Sequence, residues 1–451
     1  MISEHDSIPE QLTTTASNGR LTRRAFLERS IALGIGSGAA LTLLNACGSS
    51  PTTDLTYWNL FTGGDGVRMV QMQKDFTKSH PNINFEADTL TWGDPYYTKL
   101  AMASAGGRPP DVGISHLSRV PAFAASNMLD PFDLNELAKY DISEDKFLPS
   151  LWQKAQYNGK LYAIPLDTHP FVMYYNIDVC QKAGLLGPDG KLKPLDGTAA
   201  VMDALKKAQA VTGNLGLALD TRDVQPWRLF YTLYNQLGGQ ILSSDGRTLV
   251  IDEGKAEQAL SFMRDLTITN KVASSTMDYG GAVATFGSGK AGFHWNGDWE
   301  LPTFQGQNLH FDMLPIPNFF GQTYYAQADS HSFVLPHQAT VDPTRRAASL
   351  EFISFMLKDS LVWAGGGHVP AYLPVATGND YKNMSPQSHY ASVASNVVFD
   401  PVAWFSGSGS ELENQAGQAF QTVLVGQFTP QQAIAQFSAA LQKLLKIPPP
   451  L

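Results

Sequence analysis

The chain has 451 residues, with 32 basic and 41 acidic side chains for a net charge of −9; 43% of its residues are hydrophobic and 11% aromatic. That length is too great for one hydrophobic core, so two domains are expected. An acidic chain without basic runs excludes nucleic acid as a partner and adhesion through a polybasic patch.

Residues 1–22 are polar; Arg23-Arg24 and Phe26-Leu27 follow, and residues 31–44 carry no charge and are rich in Ala, Gly and Leu. This run ends in Leu44-Asn45-Ala46-Cys47 and a small polar tail, Gly48 to Thr53. A positive segment, an apolar segment and a small-residue cleavage site mark an export signal, and the run is shorter than the roughly 20 apolar residues of a membrane span. The arginine pair resembles a twin-arginine signal, and Leu-Asn-Ala-Cys resembles a bacterial lipobox. These resemblances imply that residues 1–46 are a removable signal peptide, that Cys47 is lipidated, and that residues 47–53 are a linker. The remainder would then work outside the cytoplasm, tethered to the outer face of the cytoplasmic membrane. The four basic and four acidic residues within 1–46 cancel, so the mature part keeps its charge of −9. With Cys47 lipidated, Cys180 has no disulfide partner.

Beyond the linker, Asp54–Asn59 reads as a strand ending in the turn Thr62-Gly63-Gly64-Asp65-Gly66, and Val67–Ser79 reads as a helix stopped by His80-Pro81. Ile83–Ala87 is a second strand, Tyr96–Ala105 a second helix, and Asp111–Ser115 a third strand. This alternation predicts a parallel sheet in an α/β domain, whose ligands lie at the carboxyl ends of the strands. Lys160–Pro165 and Leu166–Pro170 read as an extended crossing, followed by a strand over 171–176. Helices are expected over 198–211, 227–237, 252–270, 282–288, 345–357, 411–425 and 430–445, with strands at 311–315 and 331–335. Pro315-Ile316-Pro317 and Gly365–Pro370 read as second and third crossings. No solenoid-type repeat is visible.

In this order, "GGRPPDV" (106–112), "GKLYAIP" (159–165), "MYYNIDVCQKAGL" (173–185), "FHWNGDWELPTF" (293–304), "LPIP" (314–317) and "GGGHVPAYLPV" (365–375) resemble the maltose-binding-protein-like solute-binding proteins of sugar ABC transporters. The resemblance covers nearly all of residues 54–445. The place of Cys180 in the stretch 173–185 implies, by that resemblance, a buried small hydrophobe. It implies a two-lobed periplasmic-binding-protein-like α/β fold, each lobe a mixed, mostly parallel sheet flanked by helices, with three hinge crossings. The expected lobes are 54–165 plus 316–365 and 166–315 plus 366–451. The implied function is that of a monomeric, lipid-anchored binder that closes on a sugar or oligosaccharide and delivers it to the membrane permease subunits, without catalysis, cofactor or metal.

A sugar site needs flat aromatic rings for the C–H faces of a pyranose and planar polar groups for its hydroxyls. Trp58, Trp92, Trp227, Trp299 and Trp404 stand beside predicted strand ends, turns or helix starts, whereas Trp152 and Trp363 are expected in the core. The resemblance places Trp299 and Trp404 where the family stacks sugars, and His116 and Arg119 in another contact region. Asp167 and His169 sit on the first crossing. Asn59, Asp65 and Asp94 follow strands of the first lobe, and Asp329, Ser330 and His331 begin a first-lobe strand after the second crossing. His368 lies on the third crossing and is read as a contact or as a cap of the hinge.

Three other readings stay open: a receptor for a polyamine or glycerol phosphate, a metal receptor, and a secreted carbohydrate-active enzyme using a carboxylate pair. The stretch Gly407-Ser408-Gly409 lacks the preceding strand of a nucleophile elbow. The ten histidines contain no pair or Cys/His cluster at sequential metal-ligand spacing.

Overall fold

The computed structural model describes residues 52–321 and 323–448. The export signal and Cys47 lie outside the described residues. The strands in chain order are β1 (Thr53–Asn59), β2 (Ile83–Thr89), β3 (Val112–His116), β4 (Leu129–Asp130), β5 (Gln156–Tyr157), β6 (Lys160–Leu161), β7 (Ala163–Pro165) and β8 (Asp167–Asn176). They continue as β9 (Leu215–Ala218), β10 (Ala291–Gly297), β11 (Phe311–Pro315), β12 (Ala326–Asp329), β13 (His331–Pro336), β14 (Val369–Pro370) and β15 (Val397–Val398).

Among the described residues these form two mixed sheets and a small antiparallel pair, β5 with β6. The first runs β2-β1-β3-β13-β4, with β7 also paired to β13; the second runs β15-β12-β8-β10-β9, with β11 and β14 also paired to β8. Each sheet backs onto its own hydrophobic cluster, one built on Leu55, Tyr57, Ile114 and Phe352, the other on Tyr174, Phe230, Trp295 and Phe420. This is the expected two-lobed α/β fold, with one difference. Parallel pairing is confined to β1 with β2 and β3, β9 with β10, and β12 with β15; the other pairs within the two sheets are antiparallel. The reason is the crossing itself. A strand that re-enters a lobe from the other one runs against its neighbours, as β13 does in the first sheet and β8 in the second.

The chain changes sheets at Leu166, between β7 and β8, and again between Ala364 and β14. The second change is not at 314–317. Pro315 ends β11, and the chain stays on the second lobe: Ile316 and Phe319 join its core, and the buried Gln236 amide holds Pro317 O and Phe319 N at 3.0 and 2.8 Å. β12 then pairs with β8, so Asp329 ends a second-lobe strand, Ser330 makes the crossing, and His331 opens β13 in the first lobe. The prolines at 315 and 317 remove donors from a strand end.

Local chemistry fixes the elements that carry the site. Helix Gln225–Gln236 begins with Pro226 in its first turn, where the missing N–H costs nothing, and is buried on almost every side. Helix Tyr279–Gly287 is capped by the Asp278 carboxylate, which accepts from Gly281 N at 2.8 Å. Cys180 is buried and free, and burial pushes its thiol up to about 12, the inert behaviour expected of a packing residue.

Candidate functional site

A cavity of about 340 Å³ lies between the two sheets. Leu60 to Asp65 reach it from the loop after β1, Trp92 from the loop after β2, His116 from the end of β3, and His331 from the start of β13. The opposite wall is His169 on β8, the segment Asp220 to Arg228 after β9, Tyr279 at a helix start, and Trp299 with Glu300 after β10. The β1, β2, β3, β9 and β10 contributions all follow the carboxyl ends of parallel-paired strands, as the strand-end rule requires.

Arg228 stands at the centre. Its guanidinium lies 4.9 Å from the Trp299 ring and 5.7 Å from the Trp92 ring, so one cation meets an indole from each lobe. Arg228 donates to Gln225 Oε1 at 2.8 Å, and Gln225 in turn donates to Asn296 Oδ1 at 2.8 Å, which tethers the cation to β10. Trp299 is held at both ends. Its Nε1–H donates to the Tyr279 hydroxyl at 2.7 Å, and that hydroxyl donates to Glu300 Oε1 at 2.5 Å. Its benzo ring lies on Gly297, where an added Cβ would fall 1.8 Å from the ring. Gly297→Ala is therefore expected to displace Trp299 and weaken binding as Trp299→Ala does, with β10 intact by amide exchange.

Beneath the cavity, Asp167 draws the three crossings together. Its Oδ1 accepts from His169 Nδ1 at 3.0 Å and from the His331 backbone N–H at 2.9 Å; its Oδ2 accepts from His331 Nδ1 at 2.8 Å and from Trp363 Nε1 at 2.6 Å. Burial works to raise the Asp167 pKa, but its interactions with the surrounding His331, His368 and His169 rings prevail and hold it well below the usual carboxylate range. An ionised Asp167 only accepts, so the Nδ1 atoms of His169 and His331 carry the protons. Their Nε2 atoms have no hydrogen-bond partner among the described residues, and both rings border the cavity, stacked at 4.0 Å. Burial lowers His169 to about 3, and burial foremost takes His116 well below its ordinary value, so both rings are neutral. His116 is oriented by Tyr97, whose hydroxyl lies 2.6 Å from Nδ1 and accepts from the His116 N–H at 2.9 Å. His368 differs. Burial opposes its charge, yet Asp167, Asp298 and Asp65 around it hold its pKa well above normal.

The second-lobe wall carries a strained carboxylate. Asp220 is pushed up to about 7, chiefly by burial and against a hydrogen bond from Arg222 N. Its unfolded value is near 4, so the unfolded chain releases its proton first, and this group costs stability progressively as pH climbs from about 4 to about 7. Asp220→Asn should therefore be more stable than the parent at pH 8, with the gain vanishing towards pH 4 in denaturant titrations. A gain that is independent of pH would contradict the assignment.

Of the sixteen residues named as candidate contacts, Asp65, Trp92, His116, His169, Trp299 and His331 border the cavity, Asp167 and His368 lie beneath them, and Ser330 makes the crossing. The other seven are placed elsewhere. Trp227 is fully buried on the core side of its helix, stacked on Tyr231 at 4.5 Å and donating to Asp400. Trp404 packs part-buried against the second core in a turn. Trp58 lies under Lys99 in a separate surface groove that also takes Asp94, and the Asp94 carboxylate meets Asn414 at 3.2 Å and Arg119 at 3.7 Å. Arg119 packs over Tyr97 at 4.3 Å. Asn59 holds its own turn, accepting from Phe61 N and Thr89 Oγ1. Asp329 is spent on Ser118 and Ser330 N. Trp152 and Trp363 are core residues as expected. Trp404→Ala should leave ligand affinity unchanged by calorimetry, since its ring is outside the cavity.

The residues the sequence did not single out are Phe61, Asp220, Asp223, Gln225, Arg228, Tyr279 and Glu300. Four of these follow β9, a four-residue strand that went unrecognised, so the strand-end rule was never applied there. Arg228, and not its neighbour Trp227, faces the cavity, because one residue on a helix turns the side chain by about 100°.

The family model of bacterial extracellular solute-binding proteins matches residues 71–383. The arabinooligosaccharide-binding protein of Bacillus subtilis (strain 168) is 29% identical over 225 residues, 49% of this chain and 48% of that protein. The matched segment thus spans about half the length of the first of the curated relatives. A maltooligosaccharide ABC transporter solute-binding lipoprotein of Streptococcus pneumoniae serotype 4 is 23% identical over 355 residues, 70% of this chain and 77% of that protein. Among solved structures, maltose-bound MalE3 of T. maritima superposes with a TM-score of 0.75 at 21% identity, covering 87% of this chain and 100% of that one. The GacH receptor of Streptomyces glaucescens, solved unliganded and with acarbose, gives 0.73 at 21% identity, covering 88% and 99%. At these identities the superpositions show the fold.

Proposed function

The chain belongs to the bacterial extracellular solute-binding protein family, and on that premise we propose that it is the lipid-anchored receptor of an ABC importer, closing on a small neutral saccharide. The observation that carries this reading is the pair Trp92 and Trp299, one from each lobe, both against Arg228 in a cavity whose remaining polar groups are mostly acceptors. Indole faces suit the C–H faces of a pyranose, and Asp65, Asp220, Asp223 and Glu300 suit its hydroxyls. A volume of about 340 Å³ is at the small end for ligand pockets and favours one or two rings over a long oligosaccharide. A solute touching both walls stabilises the closed arrangement by contacts that an open one lacks. The relatives' names support a saccharide as the ligand class and a permease as the partner. The acidic lining, four carboxylates against Arg228, favours a polyamine as a second reading.

A thermal-shift panel separates these. Neutral mono- and disaccharides are expected to raise the melting temperature, with about 2.7 kcal/mol of stabilisation at a ligand concentration one hundred times Kd. Stabilisation by polyamines alone would transfer the assignment to the second reading. The anchor is tested apart from the ligand: Cys47→Ser should release a binding-competent protein from the membrane fraction, and continued attachment would refute lipidation at that residue.

A further inference from the structure

We propose that Asp167, His169, His331 and His368 form a site for a divalent transition-metal ion of the zinc class at the junction of the three crossings, beneath the solute cavity. One ligand atom from each lies within 4.8 Å of all the others, and all four residues are buried. Two of these residues come from the first crossing, one follows the second and one lies on the third. The ion would fasten the hinge at the point where the two lobes meet.

Beyond that clustering, three buried polar atoms, one within the set and two beside it, have no hydrogen-bond partner among the described residues: His368 Nδ1 and both carboxylate oxygens of Asp298. His368 Nδ1 lies 3.4 Å from Asp298 Oδ1 and 3.7 Å from Asp167 Oδ2. Buried carboxylate oxygens and a ring nitrogen without a hydrogen bond, held only by ion-pair contacts of 3.4 Å and more, are what an ion resolves. The second Asp supplies the charge balance, two carboxylates against one dication. The outer contacts are those that orient metal ligands. His368 Nε2 lies 3.1 Å from Asp65 Oδ2, a carboxylate behind an imidazole, and Asp167 is fixed by Trp363 Nε1 and the His331 N–H. Three imidazoles with one or two carboxylates suit Zn²⁺, Co²⁺, Ni²⁺ or Cu²⁺, and not Ca²⁺ or Mg²⁺, which want six or more oxygens or several waters.

Binding would change the cavity above. Without the ion, His169 and His331 donate hydrogen bonds to Asp167 through Nδ1–H. Coordination through Nδ1 needs those lone pairs, so each proton moves to Nε2 of the same ring, with no net release from these two. Two acceptors bordering the cavity thereby become two donors, and the ion would tune which solute hydroxyls are read.

The test uses the full chain after treatment with a chelator, with Zn²⁺ or Co²⁺ alone as probe and no saccharide, so its failure leaves the sugar reading standing. Equilibrium dialysis with elemental analysis is expected to give one tightly bound ion per chain. Co²⁺ should show intense visible ligand-field bands that Zn²⁺ abolishes. Asp65→Asn, which removes only the outer partner of His368, should weaken binding about 10- to 100-fold. His169→Gln with His331→Gln should lose the site, whereas His310→Gln with His389→Gln, two exposed histidines, should keep it. No tightly bound ion in the parent chain, or binding lost with the exposed pair and kept without the buried one, would overturn the proposal.

Discussion

Trp299→Ala is expected to abolish saccharide binding while the protein remains folded. The ring is only partly buried, so its removal opens the cavity and leaves the core closed. Three things go with it: a stacking face for the solute, one of the two indoles that hold the Arg228 guanidinium, and the Nε1–H donor to Tyr279. A central aromatic anchor of this kind is worth about 2–4 kcal/mol, or roughly 30- to 700-fold in Kd. Calorimetry against a saccharide that stabilises the parent measures the loss, and circular dichroism verifies the fold. Parental affinity in a folded variant would remove Trp299 from the site.

The second large effect concerns stability. Asp167→Ala strips the acceptor from four donors at once: His169 Nδ1, the His331 N–H, His331 Nδ1 and Trp363 Nε1. Asp167 is fully buried, and its removal also leaves His368 with one fewer countercharge in a place water does not reach. Breaking such a buried network by deleting one partner costs about 3–5 kcal/mol, far above the typical ~1 kcal/mol of a single substitution. Because the donors come from all three crossings, the loss should appear first as faster amide exchange in 330–332 and 363–369, ahead of the sheet interiors. Denaturant titration gives the magnitude, and a variant as stable as the parent would show that the hub does not hold the hinge.

Much of this architecture is legible in the amino-acid sequence. The strand–helix alternation from Asp54 to Ser115 is written in period and punctuation, and the carboxyl-end rule then pointed at the right loops of the first lobe. His169 and His331 follow from their positions on the crossings, and His116 from the family resemblance. What failed has physical causes. β9 and β12 are four residues each and largely buried; Leu-Gly-Leu-Ala shows no alternation, and Ala-Gln-Ala-Asp alternates over too few residues, with alanine as its only apolar type, to mark a strand. With β12 invisible, Pro315-Ile316-Pro317 looked like a crossing, and Asp329 was assigned to the wrong lobe. Trp227 and Trp404 show a different limit: an indole beside a helix start or in a turn packs inward as readily as outward, and only tertiary contact decides. The Asp167 cluster was beyond the sequence for a third reason. Its members are separated by more than 160 residues between His169 and His331, and by another 37 to His368, so no spacing rule applies to them. Histidine spacing excludes a local motif and says nothing about ligands that three separate crossings bring to one point.

The binding itself is tested most directly by titrating the purified full chain, in one calorimeter series, with neutral one- and two-ring saccharides, the same sugars as phosphate esters, and polyamines. The expected result is saturable one-to-one binding of at least one neutral saccharide, no binding of its phosphate ester, and loss of the signal in Trp299→Ala. No heat with any saccharide, together with saturable binding of a phosphate ester or a polyamine, would contradict it.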